Sequence, residues 1–170
     1  MLKNKLQCWA EFNNILPRSQ SGFRKGQSTI DNLINLTLNV EEAFSQKKDL
    51  LAAFLDVNGA FDNVNIAILL QQLATIGCPT RVIKFIKFLT YERIIYTETL
   101  GEQIRFVYKG VPQGGVLSPL LYNIYVAKIC ENIPKSVTVS QFADNIENSD
   151  HIKPYLSTSA NSIFNRDKQR

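Results

Sequence analysis

Two strand-like apolar runs in this chain each deliver an aspartate, and that pairing restricts what it can fold into. Leu50 to Val57 is apolar throughout except for Asp56, and Val137-Thr138-Val139-Ser140-Gln141-Phe142 is β-rich and leads into Ala143-Asp144-Asn145. A continuous apolar run of this length suits a strand buried on both faces, which delivers its last residue to a fixed place. Asp56 and Asp144, far apart in sequence, are therefore predicted to meet at neighbouring strand ends, where two carboxylates suit a divalent cation. An isolated aspartate after a strand is more often a turn or helix cap. The adjoining Gly59-Ala60-Phe61-Asp62 favours the site instead.

The remaining elements follow from periodicity and punctuation. Leu2 to Leu16 is predicted helical, ending before Pro17, because the residue before a proline is driven out of the α region. Ser28-Thr29-Ile30-Asp31 has the S-x-x-D form of a capping box, with Ile30, Leu33, Ile34, Thr37, Val40 and Phe44 at helical spacing behind it, so a helix is predicted over about 29–46. A further helix should run from Val64 to Ile76 and stop at Gly77, with Asp62 and Asn63 as its caps. Thr80 to Leu89 reads as a helix with Arg81, Lys84 and Lys87 along one side. Such a stripe is most often a solvated face, and becomes a nucleic-acid face only in the right company.

Ile94 to Leu100 and Gln103 to Lys109 flank Gly101-Glu102 as a β-hairpin, and Ser118-Pro119 opens a helix predicted over about 119–131 with Ser118 as its N-cap. Strands and helices mix without strict alternation. That order predicts an α+β fold with a mostly antiparallel sheet.

Composition sets the class. With 170 residues, 45% of them hydrophobic and 20% charged, the chain can form one globular domain with a core. Its net charge of +4 leans weakly toward a polyanionic partner. Cys8, Cys78 and Cys130 are widely separated and, with the single His151, make no zinc pattern, so they read as buried thiols in a reducing compartment. No apolar run reaches the ~20 residues of a membrane span, and Met1-Leu2-Lys3-Asn4-Lys5 lacks the apolar core of a signal peptide. An intracellular protein, cytoplasmic or nuclear rather than secreted, is expected. After about residue 146 the apolar pattern breaks at Glu147-Asn148-Ser149-Asp150, and the stretch beyond is expected to be poorly ordered.

The most specific string is Pro112-Gln113-Gly114-Gly115-Val116-Leu117-Ser118-Pro119-Leu120-Leu121-Tyr122-Asn123. Together with Phe54-Leu55-Asp56…Ala60-Phe61-Asp62 and Gln141-Phe142-Ala143-Asp144-Asn145, in that order, it resembles the three palm motifs of reverse transcriptases, most closely those of non-LTR retrotransposons. Upstream, Gln20-Ser21-Gly22-Phe23-Arg24-Lys25-Gly26-Gln27-Ser28-Thr29 resembles the fingers motif of the same family.

The resemblance covers roughly residues 2–146. It implies fingers-side helices over 1–48, a palm with an antiparallel sheet backed by helices over 49–146, a degenerate tail over 147–170, and no thumb. It further implies RNA-directed DNA polymerisation on an RNA template and a DNA primer with deoxynucleoside triphosphates, and no membrane partner. Two Mg²⁺ or Mn²⁺ ions would be held by Asp56, Asp144 and the Val57 carbonyl. Phe61 would exclude a 2′ hydroxyl or else be a core aromatic, Gln113 and Gly114 would contact the nucleotide, and Arg24 and Lys25 would touch phosphate.

Asn145 stands where the family has a second aspartate, which removes one negative charge from a site for two dications. Glu147 could approach from the same side of its strand, although an exposed glutamate is the commoner case. A weak polymerase domain and a silent descendant that binds nucleic acid or acts as a scaffold are thus the two readings. The residues after the aspartate are expected to form a frayed hairpin strand.

Overall fold

The S-x-x-D box forms as its residues dictate: the Ser28 backbone N–H donates to Asp31 Oδ2 at 2.6 Å and starts a helix at Thr29. In this computed structural model, residues 2–91, 93–97, 103–134 and 136–152 are described. Their helices are α1 (Leu2–Phe12), α2 (Thr29–Ser45), α3 (Ile66–Thr75), α4 (Thr80–Thr90) and α5 (Ser118–Tyr125). The strands are β1 (Asp49–Asp56), β2 (Arg93–Thr97), β3 (Gln103–Val107), β4 (Thr138–Phe142) and β5 (Asn145–Ile152). All sheet pairing is antiparallel, with β1-β5-β4 forming one sheet and β2-β3 the predicted hairpin, whose turn lies outside the described residues. The α+β expectation holds.

The core is helical. Leu6 and Ala10 of α1, Leu69 and Leu73 of α3, and Ile86 and Thr90 of α4 are buried pairs spaced four apart, so each helix turns one stripe inward. They close on Leu120, Leu121, Tyr122 and Ile124 of α5, with Val64 and Val111 filling between. A leucine fully removed from water here contributes about 1.5–3 kcal/mol, and truncating Leu69 or Leu73 to alanine should cost about 2–5 kcal/mol once the cavity is included. This block is the floor on which the site loops rest.

Several expectations are corrected. The first strand is not buried on both faces: Leu51, Phe54 and Leu55 are more than half exposed, and among the described residues β1 is an edge strand that pairs with β5 and packs against α2. The apolar positions of α2 are likewise largely outside, and Ala43 is its one fully buried residue.

The second correction is to the strand after Asp144. It does not fray: β5 runs from Asn145 to Ile152 between β1 and β4, and Ile146 and Ser149 are buried. Hydrogen bonding on both edges compensates for its polar sequence.

Third, the cap of α3 is Asn65, whose Oδ1 accepts from Ile68 N–H at 3.2 Å, rather than Asp62 or Asn63. Fourth, Ser118 is the first residue of α5 and its hydroxyl donates to the Pro112 carbonyl at 2.5 Å, and α5 stops at Tyr125 instead of about 131. α1 also ends earlier than predicted, at Phe12. Among the cysteines, Cys78 is buried, Cys130 half-buried and Cys8 exposed, so only Cys78 fits the expected buried thiol in full.

No helix of the described residues is long and apolar enough to cross a membrane.

Candidate active site

β1 ends at Asp56 opposite Asn145, the first residue of β5, so the register itself carries Asp56 to the tip of the β4–β5 turn. The Val57 N–H then donates to the Asp144 carbonyl at 3.3 Å. Ala143, at φ +58, occupies the left-handed region that a tight two-residue turn demands. The aspartates that sequence reasoning paired are therefore main-chain neighbours. Asp144 lines a cavity of about 530 Å³ with Phe61, Gln113 and Gly114, and Asp56 lines a smaller concavity with Asn145 and Glu147.

The floor of the larger cavity is aromatic. Phe61 stacks on Tyr122 with ring centroids 5.1 Å apart and meets Phe23 edge-on at 6.2 Å. Tyr122 is 1% exposed, and its phenol is pushed up to about 12, first by burial and then by the charges of Asp144 and Asp56. One buried hydroxyl thus feels both carboxylates.

The glycine loop closes the cavity's other wall. Val111 N–H donates to the Phe61 carbonyl and Gly110 N–H to the Val64 carbonyl, both at 2.8 Å, which ties this loop to the segment after Asp56. Gly114 sits at φ +77, a conformation costly for any side chain. Gln113 Nε2 donates to Asp62 Oδ2 at 2.9 Å, so Asp62 orients Gln113 rather than capping a helix. Asn63 instead donates to the Asn58 carbonyl and accepts from Lys109 Nζ.

The profile of the family "Reverse transcriptase (RNA-dependent DNA polymerase)" matches residues 1–147. The chain belongs to the reverse transcriptases. It is 30% identical over 158 residues to the "Probable RNA-directed DNA polymerase from transposon BS" of Drosophila melanogaster, covering 86% of this chain and 17% of that protein. It is 28% identical over 153 residues to the RNA-directed DNA polymerase from the mobile element jockey of the same organism, covering 85% and 17%. The relatives place it among the reverse transcriptases of non-LTR retrotransposons, and the chain spans about a sixth of their length. In fold it is similar to telomerase from Candida albicans, with a TM-score of 0.66 at 10% identity over 88% of this chain and 29% of that one.

Reverse transcriptases generally use divalent metal ions. Asp56 and Asp144 have no ion-pair partner among the described residues, where Arg24–Glu11 is the one salt bridge. Two uncompensated carboxylates beside a buried phenol fit a hard cation. A cluster of three or more acidic, His or Cys side chains able to hold a metal does not occur among the described residues, and Asn145 only turns its amide toward Asp144 Oδ1 at 3.4 Å.

Sequence reasoning missed the residues that hold this reverse transcriptase turn in place. Gln20, 1% exposed, donates from Nε2 to the Ala143 carbonyl, while its Oε1 accepts from Ala143 N–H and Gly22 N–H. Ser21 N–H donates to Gln141 O and Gln141 N–H to Ser19 O, and Asn123 Nδ2 donates to Gly22 O at 2.8 Å. A Cβ at Gly22 would collide with the Ala143 backbone nitrogen. The only sequence signal was the position of Gln20 and Asn123 inside quoted motifs. Arg24 belongs to the same brace: it pairs with Glu11 and donates to the Pro17 and Gln20 carbonyls, while Lys25 is exposed.

Proposed function

We propose that this domain carries out RNA-directed DNA synthesis, with Asp56 and Asp144 holding divalent ions at the primer end. What supports the reading is the Val57 to Asp144 main-chain bond, which joins the two aspartate segments, together with the influence of both carboxylates on Tyr122. When bound, two divalent ions would supply charge neutralisation for the attacking 3′ oxygen and the departing pyrophosphate. Asp56, the Val57 carbonyl and Asp144 are the groups that would hold them.

The chain's own residues do the positioning. Gln113, fixed by Asp62, and the backbone at Gly114 border the cavity in which an incoming nucleotide would lie. Phe61, clamped between Tyr122 and Phe23, presents a rigid edge suited to reject a 2′ hydroxyl and so to select deoxynucleotides. Lys25 is exposed and available to a template or primer phosphate. The solved telomerase from Candida albicans is in complex with a fragment of telomeric RNA, and an RNA template is the partner proposed here by kinship.

The test is primer extension by the purified chain on an RNA template with a DNA primer, deoxynucleotides and Mg²⁺ or Mn²⁺. Product above that of an Asp56→Ala variant is expected; equal product from the two overturns the reading.

Asn145 favours a second reading, a domain that retains nucleic-acid binding without turnover, since a neutral amide beside Asp144 weakens the field for a second dication. Saturable, salt-sensitive binding to a primer–template with no extension in either metal would select it.

A further inference from the structure

The basic stripe of α4 plays no part in the site, and the fold leaves it on the surface. Arg81, Lys84 and Lys87 are exposed, and none of them forms an ion pair among the described residues. α4 contains no acidic residue. Residues three, four and seven apart share a helix face, so Phe88 stands one turn beyond Lys84 and in line with Arg81. Its ring is 83% exposed. The helix buries Ile86 and Thr90 on the opposite side, so Phe88 faces away from the core. Nearby, Lys87 Nζ lies 5.4 Å from the centre of the Tyr91 ring, which is itself about half exposed. Cations and flat rings therefore alternate along one open face.

The flank of α4 beside that face borders the candidate site. Gly115 and Ser118 border the cavity containing Phe61, and the same two residues border an almost wholly apolar groove of about 380 Å³ formed with Phe85 and Leu89 of α4. A strand emerging from the cavity over this loop would reach α4 directly.

We propose that α4 is a binding track for single-stranded nucleic acid, with Arg81, Lys84 and Lys87 on phosphates and Phe88 and Tyr91 stacked on unpaired bases. A single strand matches both features at once, since it carries regular negative charge and exposes base faces that a duplex conceals. An acidic peptide would use the cations and leave the rings unmatched. The track lies outside the catalytic groups and stands whether or not the domain polymerises.

The experiment measures anisotropy of labelled oligothymidylate and oligouridylate with the full chain at several salt concentrations. The Arg81→Gln/Lys84→Gln/Lys87→Gln variant should flatten the slope of log affinity against log salt by about 2, since each single-strand phosphate contact contributes about 0.7. Phe88→Ala should weaken binding about tenfold with the slope unchanged, because stacking is not ionic. Both changes are on the surface, and unaltered thermal melts would show that the fold persists.

Repeating the series in an Asp56→Ala background separates this proposal from the catalytic one: the same losses are expected there. Equal binding of the two oligonucleotides supports contacts to phosphate and base alone, and tighter oligouridylate binding supports an RNA strand as the natural occupant. If the variants bind both probes as the unmodified chain does, the proposal is wrong. It is equally wrong if the unmodified chain binds neither probe and instead self-associates in a way that Phe88→Ala abolishes, which would make this face a protein contact.

Discussion

Gln20 and Ala143 hold each other by two opposed hydrogen bonds, the Gln20 amide donating to the Ala143 carbonyl at 3.2 Å and the Ala143 N–H donating to Gln20 Oε1 at 3.0 Å. Through this pair, a loop near the start of the chain fixes the left-handed residue immediately before Asp144. Gln20→Ala would leave several buried main-chain groups unpaired, each worth about 1–3 kcal/mol. A loss of about 3 kcal/mol is expected, read as a fall in melting temperature of roughly 6–12 °C. Gly22→Ala should be worse, since its methyl group and the Ala143 nitrogen cannot occupy the same space.

Restoring a charge at position 145 should strengthen any metal-dependent chemistry. Asn145→Asp is expected to raise primer extension on the order of 10- to 100-fold, the range by which groups around direct metal ligands change affinity or activity. Without metal the same variant should melt lower, because Asp144 would then have a like charge beside it. Added Mn²⁺ should reverse that loss, which ties the gain to cation binding.

Phe61→Ala should remove the edge that faces the cavity and, with it, most of the preference for deoxynucleotides over ribonucleotides. Incorporation assays with each nucleotide set check this. The variant also loses the contacts with Tyr122 and Phe23, worth about 0.5–1.5 kcal/mol each beyond area burial, so it should melt earlier.

Alkaline titration followed by tyrosinate absorbance should show one phenol ionising near 12, from an ordinary value of 10.0. Because the folded state raises this pKa, Tyr122 adds stability that is complete below pH 10.0 and disappears as pH climbs through about 12. Asp144→Asn removes one of the two carboxylate charges and should move that last titration downward. No movement would mean that burial alone sets it.

Glu147 lies between β4 and β1, opposite Ser140 and Phe54, and burial pushes its carboxyl up. A raised carboxyl pKa means that ionisation at neutral pH costs stability, a cost absent in acid where the group is protonated in both states. Glu147→Gln should therefore raise the melting temperature at pH 7 by about 2 °C, with the difference vanishing as pH falls below the ordinary glutamate range.

The parts of the molecule written locally were readable from the sequence. The α2 start was set by Ser28 and Asp31, the α3 stop by Gly77, and the span of β1 by its apolar run. What failed depended on neighbours. An apolar run fits a central strand, yet β1 is at the border because the polar segment Asn145–Ile152 took the middle, held by main-chain bonds on both edges that no side-chain pattern announces.

The cap of α3 was misassigned among three eligible residues because Gln113, remote in sequence, engages Asp62. In the site, the aspartates, Phe61 and the glycine loop were legible as motifs. The Gln20 brace was not, since it joins residues with a sequence separation of 123 and leaves no periodic trace.

Among the described residues the outer edge of β1 pairs with no further strand; Leu51, Phe54 and Leu55 flank it, and no proline interrupts it. Rims of this kind recruit further extended chains into growing ribbons. Preparations of this protein should therefore cloud sooner the more concentrated the stock is kept.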